Sequence, residues 1–134
     1  MLVIFVCPFF SPAATQMLEA ALALTHIRLA VVAQQPLAEL APAVGSRLVA
    51  HWQVADVTNA EQLAGAVSAI AGAHGAVARC FAAYEQCQLP LAQVRERLGI
   101  PGLPAAAAHN FRDKARMKNV LRAAGVPVAR HQLV

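Results

Sequence analysis

Short apolar runs alternate with longer amphipathic segments along the first hundred residues. Four of the runs are rich in β-branched and aromatic residues and are bounded by turn-forming residues, which predicts β-strands. They lie at 2–6, 29–33, 48–54 and 77–83, and the third is the weakest. The first run is apolar at every position. This pattern indicates a strand of a parallel sheet that is buried on both faces.

The segments between these runs predict helices. Ser11 is a good N-cap and Pro12 a good first residue for a helix that extends to about Thr25. A capping-box sequence, Thr58 to Glu61, predicts the start of a helix after the third strand. Both helices therefore lie between consecutive strands.

The pattern continues after the fourth strand. Pro90 is expected to open another helix, and Gly99 to end it. A short fifth strand is expected from Ile100, followed by a helical turn at 104–109. Leu37 to Ala41 is expected to make one helical turn as well, and 129–134 has strand character.

This alternation predicts the fold class. Strands that alternate with helices form βαβ units with right-handed crossovers, so we expect a three-layer, Rossmann-like α/β domain with four or five parallel strands. With the usual strand order 3-2-1-4, the ligand crevice lies between the carboxyl ends of strands one and four. The loops at that crevice are 7–11 and 84–88.

A basic helix is predicted within residues 111–128. Asp113 caps its start, Gly125 suits the left-handed position at its end, and Pro127 cannot continue it. One face is apolar: Met117, Val120, Leu121 and Ala124. The opposite face is cationic: Lys114, Arg116, Lys118 and Arg122. Such a helix, held by its apolar face, suits anion binding.

The order of motifs around this helix resembles a known domain junction. Leu98-Gly-Ile-Pro-Gly102, then Asp113-Lys114, then Leu121 followed by Ala124-Gly-Val-Pro127, resembles the junction that leads into the nucleotide-binding domain of ATP-grasp ligases. Biotin carboxylases and carboxylate–amine ligases belong to this superfamily. The resemblance implies a pre-ATP-grasp domain at 1–110, with a linker helix and the first strand of an ATP-grasp domain at 111–134.

The resemblance also implies an activity for a longer protein. Such ligases use ATP and Mg²⁺ to activate a carboxylate or bicarbonate as an acyl phosphate, which a nucleophile then attacks. The further subdomains that clamp ATP and hold Mg²⁺ are absent from these 134 residues. We therefore expect this chain to be the N-terminal piece of a ligase, with no turnover alone and no catalytic or metal-binding residue of its own.

Four residues are candidates for the ligand site. By resemblance, Lys114 matches a lysine that contacts the nucleotide, and Glu85 matches a glutamate that faces the active-site cleft. Phe9 and Phe10 lie in the first crevice loop, which has no glycine and so argues against dinucleotide binding. The alternatives are a solvated helix face for Lys114, a helix-dipole contact for Glu85, and ordinary packing for the two phenylalanines.

The net charge of +4 is unevenly distributed. Residues 1–78 carry two basic and four acidic side chains, whereas 79–134 carry nine basic and three acidic ones. A polyphosphate site explains this asymmetry, and the acidic first half and lack of interleaved aromatic residues argue against nucleic acid. A non-catalytic module that binds a small anion or a protein is the alternative function.

The cysteines, the histidines and the length of the apolar runs narrow the class of protein further. The three cysteines have no metal-like spacing, and the histidines are too scattered for a metal site, so we expect reduced thiols in a cytoplasmic protein. No apolar run reaches the roughly 20 residues that a membrane span needs. The resemblance is also compatible with a homodimer.

Overall fold

The computed structural model describes residues 1–129 and has the predicted three-layer α/β architecture. The strand expected at 129–134 lies outside the described residues, except for Ala129. Four strands are present: β1 Leu2–Cys7, β2 Arg28–Ala33, β3 Ala50–Gln53 and β4 Val77–Ala82. They form one parallel sheet in the order β3-β2-β1-β4, which confirms the predicted topology.

Residues 1–129 also form six helices. They are α1 Pro12–Leu22, α2 Pro42–Gly45, α3 Ala60–His74, α4 Glu85–Leu98, α5 Ala105–Arg112 and α6 Lys114–Ala123, with a 3₁₀ turn at Leu37–Glu39. Helix α1 begins with Ser11 as its cap and Pro12 in its first turn, as expected, but ends three residues earlier than the sequence suggested. Helix α5 extends beyond the predicted turn and ends directly before Asp113.

The sheet separates two apolar clusters. Ile4 and Val6 of β1 point to the side where α3 and α4 pack, and Phe5 points to the side of α1. All six residues of β1 are buried, because the strand is central and covered on both faces. This is the environment that its uninterrupted apolar sequence predicts.

The predicted fifth strand is wrong for the described residues. Ile100 lies in a turn, and β4 pairs with β1 alone. Three carbonyl groups at alternate positions of β4 accept hydrogen bonds from side chains: Ala78 from Arg79 at 2.7 Å, Cys80 from Arg95 at 3.2 Å, and Ala82 from Gln88 at 2.7 Å. Alternate residues of a strand direct their backbone groups to the same edge, so these side chains occupy the acceptors that a fifth strand would use.

Arg95 also holds the turn that was expected to be that strand. Its guanidinium donates one hydrogen bond to the carbonyl oxygen of Cys80 and another to that of Leu103, each at 3.2 Å. Gly102 packs against it so closely that an added Cβ would lie 2.7 Å from the Arg95 side chain. Pro101 adds a residue without a backbone donor. The turn is therefore attached to the sheet edge through a side chain.

Two helix starts also differ from the prediction. Helix α4 begins at Glu85, and Pro90 therefore lies inside it. The earlier start is explained by Cys87, which is buried and extends the apolar face of Leu91 and Val94 by one turn. Gly99 ends this helix in the left-handed conformation, as expected.

The predicted capping box before α3 does not form. Asn59 caps the helix by accepting from the backbone N–H groups of Glu61 and Gln62. Thr58 instead donates its hydroxyl to Asp56 at 2.7 Å, and Glu61 forms an ion pair with Arg97 at 2.6 Å. Asn59 is as good a cap as threonine, and the sequence offered both.

The three cysteines are buried, unpaired thiols. Burial raises the pKa of Cys7 and of Cys80 to about 12, and that of Cys87 to about 11. The reactive thiolate is therefore scarce at neutral pH. We expect almost no reaction with a thiol reagent such as dithionitrobenzoate at pH 8 in the native protein, and reaction of all three thiols in urea. Rapid labelling of the native protein would contradict this packing.

No helix among residues 1–129 is both long and apolar enough to cross a bilayer.

Candidate functional site

The two loops at the carboxyl ends of β1 and β4 are joined by aromatic and hydroxyl contacts. The Tyr84 hydroxyl lies 2.5 Å from the Ser11 hydroxyl, and its ring centroid lies 5.1 Å from that of Phe9. Ser11 also accepts the backbone N–H of Ala14 at 3.2 Å, which fixes the start of α1. The first loop is therefore held against the second by side chains. This contact places Phe9 in the predicted crevice, where 44% of its surface stays exposed.

Phe10 points toward a different part of the sheet. Its backbone N–H donates to the Gln35 side chain at 2.5 Å, and its ring lies 6.1 Å from the His51 ring. The His51 ring nitrogen Nε2 lies 3.0 Å from the Gln35 carbonyl, and burial lowers the pKa of His51. Phe10 is thus separated from Phe9 and packs beside the carboxyl ends of β2 and β3. The two phenylalanines do not form one surface.

Glu85 is the first residue of α4 and faces the end of α5. Its carboxylate lies 3.8 Å from the guanidinium of Arg112, and both side chains are largely exposed. These two residues, together with Gln88, Leu103, Ala108 and Phe111, line a cavity of about 210 Å³. The sequence did not point to Arg112, because α5 was expected to end before it. The basic last turn of a longer α5 would have been the signal.

Lys114 is the first residue of α6. Its neighbour Asp113 caps the helix by accepting the backbone N–H groups of Ala115 at 2.9 Å and Arg116 at 3.0 Å, as predicted. The Lys114 side chain is exposed, and it forms no ion pair with any of residues 1–129. Arg116 differs, because its Nε donates to the Asn110 side chain at 2.6 Å. Lys114 is therefore the cation at the start of the helix that is open to a ligand.

The apolar face of α6 is less covered than its sequence suggests. No residue of this helix is buried, and Val120 is 46% exposed. Met117, Val120 and Leu121 line a shallow cavity of about 150 Å³ with α5, where Phe111 is 68% exposed. The helix is thus held mainly by α5, and a continuous apolar surface lies beside the cationic face.

Three of the four predicted site residues belong to one series of neighbouring residues. Phe9 contacts Tyr84, Glu85 follows Tyr84, and Arg112 connects Glu85 to the segment that carries Lys114. Phe10 lies apart from this series. No group of three or more potential metal ligands occurs among residues 1–129. Chemically, the series offers one ammonium group without an ion pair in residues 1–129, one carboxylate paired at long range, and apolar surface, which suits binding of a ligand.

The Asp113 cap makes α6 sensitive to acid. The backbone N–H of Arg116 is the main cause of a lowered Asp113 pKa, with a smaller effect from that of Ala115. The carboxylate therefore stabilises the helix start above its unfolded pKa of about 3.9, and this stabilisation is lost as pH falls through the lower native value. We expect Asp113→Ala to reduce amide protection at 115–117 at pH 7, with little further change on acidification. Asp113→Asn, which keeps an acceptor, should restore most of the protection. Equal protection in all three proteins would show that α6 does not depend on this cap.

A four-stranded parallel sheet in the order 3-2-1-4, covered by helices on both faces, defines a Rossmann-like α/β domain. Two solved structures resemble this chain over nearly its whole length. An L-amino acid ligase from Bacillus licheniformis matches with a TM-score of 0.75 over 95% of this chain, at 17% identity. A phosphoribosylglycinamide synthetase from Anaerococcus prevotii matches with a TM-score of 0.69 over 99% of the chain, at 15% identity.

Both matches confirm the predicted Rossmann-like α/β fold over nearly the whole chain. The chain spans only 31% of the length of each. No protein-family model and no curated protein matches the sequence.

Proposed function

We propose that this chain is the N-terminal domain of an ATP-dependent ligase of the ATP-grasp superfamily. The observation that carries the proposal is the structural match over nearly the whole chain to two such enzymes. The motifs at 98–102 and 113–127 support it independently, because they resemble the superfamily junction in order and spacing. In this proposal residues 1–110 are the pre-ATP-grasp domain, and 111–134 lead into the ATP-grasp domain.

The proposed reaction of the complete enzyme is carboxylate activation. ATP phosphorylates a carboxylate or bicarbonate, and a nucleophile displaces the phosphate. The name of the Bacillus neighbour, an L-amino acid ligase, favours a carboxylate–amine ligase over a biotin carboxylase-like enzyme. A cytoplasmic location and a homodimer are part of the same proposal.

The proposed role of Lys114 is electrostatic. An exposed ammonium group at the start of a capped helix, next to a second cation in Arg112, can stabilise the negative charge of ATP phosphates without forming a covalent bond. Glu85 and Phe9 would face the substrate side of the cleft, and Phe10 would support the loop from behind through Gln35 and His51.

Magnesium does not fit the described residues. Asp113 uses its carboxylate to cap α6, Glu85 faces Arg112, and no cluster of ligands occurs in 1–129. Mg²⁺ prefers several oxygen ligands in octahedral geometry. The ions that accompany ATP would therefore be held by a part of the enzyme beyond these residues.

The test is a pair of lysine substitutions in a ligase that contains this chain. Lys114→Ala should raise the KM for ATP by roughly 10- to 150-fold, because a hydrogen bond to a charged group contributes about 1.5–3 kcal/mol. Lys118→Ala removes the same charge one turn further along α6 and serves as the matched control. It should leave the KM within about threefold, as a partly exposed surface charge normally does. An unchanged KM for Lys114→Ala, or equal effects of both variants, would contradict the assigned role.

A further inference from the structure

A second concave surface lies at the opposite end of the sheet from the predicted crevice. We call it the amino-end groove and define it by Val3 and Phe81 on its floor, Ala21 and Leu24 on the α1 side, and the 101–102 turn on the other side. Its volume is about 610 Å³, which lies within the range of roughly 300–1,000 Å³ that is typical of small-molecule sites. Val3 pairs with Arg79 near the start of β4, whereas Phe9 follows the carboxyl end of β1, and neither Phe9 nor Lys114 lines the groove.

The groove combines an apolar interior with cationic groups. Phe81 and Val3 present side chains on the face that α1 leaves partly uncovered. Arg79, Arg95 and His26 lie on its border, and no carboxylate of residues 1–129 lines it. A ligand that matches this surface has an apolar body and a negative charge.

Arg95 supplies the strongest indication of an anion. It is the one buried charged residue among 1–129, at 8% exposure, and neither ion pair in that range includes it. Its two hydrogen bonds go to neutral carbonyl groups at 3.2 Å, and its Nε has no partner. A guanidinium has five N–H donors, so most of its capacity is unused. A buried charge without a counter-charge is costly, and a bound anion would offset that cost.

We propose that the amino-end groove binds a small monocarboxylic acid with an apolar chain. The carboxylate lies between Arg79 and Arg95, and the chain covers Phe81, Val3 and Leu24. Arg79 is exposed and uses its NH1 group on the neighbouring Ala78 carbonyl, which leaves other donors of its guanidinium for the ligand. This site is separate from the proposed ATP site, and it does not depend on the ligase assignment.

The probe is decanoate below its micelle concentration, added to the full 134-residue chain. Calorimetry gives the affinity, and backbone amide shifts give the location. We expect saturable binding of decanoate, with amide shifts concentrated at Val3, Leu24 and Phe81. Decyltrimethylammonium, which has a similar chain but the opposite charge, should bind at least about tenfold more weakly. Acetate should also bind weakly, because it lacks the apolar chain.

Two variants test the groove without removing the structural Arg95. Arg79→Ala should weaken decanoate binding about fivefold, the size expected for a partly exposed charge pair, whereas Arg122→Ala on α6 should not change it. Ala21→Trp should abolish binding by filling the groove, and its circular dichroism should stay native because residue 21 is only partly buried on a helix. Absence of saturable binding, equal binding of the cationic probe, or shifts centred on α5 and α6 would overturn the proposal.

Discussion

Phe5→Ala is expected to destabilise the protein by about 3–5 kcal/mol, the range measured for phenylalanine truncation in cores. Phe5 lies in the middle of the central strand and has no exposed surface. Its ring centroid lies 4.9 Å from that of Phe81, so the substitution removes an aromatic contact in addition to leaving a cavity. Because a domain of this size is stable by only about 5–15 kcal/mol, the loss is a large fraction of the total. Urea unfolding followed by circular dichroism measures it.

Phe9→Ala is the matched control. It is the same substitution in the loop that follows the same strand, but Phe9 is 44% exposed and its aromatic contact is with Tyr84. We expect a loss of about 1 kcal/mol, which corresponds to one aromatic pair and partial burial. If the two variants lost equal stability, the central position of β1 in the core would be wrong.

Arg95→Ala is the second substitution with a large expected effect. It leaves the Cys80 and Leu103 carbonyls without the donor that joins them, and it removes a buried side chain against which Gly102 packs. The unsatisfied Cys80 carbonyl is buried and costs about 1–3 kcal/mol, and the lost packing adds to this, so we expect a total of about 2–4 kcal/mol. Hydrogen exchange should increase at 100–105, where the turn depends on this side chain.

Arg97→Ala, two residues further along α4, is the control for Arg95. Arg97 pairs with Glu61 on the surface, and both side chains are more than half exposed. Pairs of this kind contribute little, so stability should remain close to that of the wild type. Equal losses of stability in the two alanine variants would mean that the hydrogen bonds by which Arg95 joins β4 to the turn have no structural role.

Much of the fold was predictable because the two central strands, β1 and β2, are almost entirely apolar and buried. The run in β1 is apolar at every position, and burial on both faces is the only way to remove it from water. The parallel pairing followed from the alternation with helices, whereas the order 3-2-1-4 is the usual one for such sheets and matches the structure. Gly99 and Gly125 marked helix ends correctly, since both adopt the left-handed conformation that glycine tolerates best.

The errors have a common physical origin in contacts between distant residues. The fifth strand fails because Arg95 occupies the acceptor at Cys80, and nothing in the local sequence near Ile100 reveals this. Pro90 predicts a helix start because proline favours first turns, but the burial of Cys87 extends α4 upstream.

The site was predictable only in part. Lys114 and its Asp113 cap are local, so the sequence was sufficient to locate them at the start of α6. The separation of Phe9 from Phe10 and the contact of Glu85 with Arg112 depend on how loops meet in three dimensions. Whether Lys114, Glu85, Phe9 and Phe10 act on ligands stays a prediction.

The most direct measurement is calorimetry of ATP with Mg²⁺ on two proteins, the 134-residue chain and a longer gene product that contains it. The account predicts no binding to the chain alone, binding to the longer protein, and loss of about 1.5–3 kcal/mol of that binding in its Lys114→Ala variant. Binding of equal strength to the short chain, or a longer protein that binds ATP without regard to Lys114, would contradict the proposal that this domain belongs to an ATP-grasp ligase.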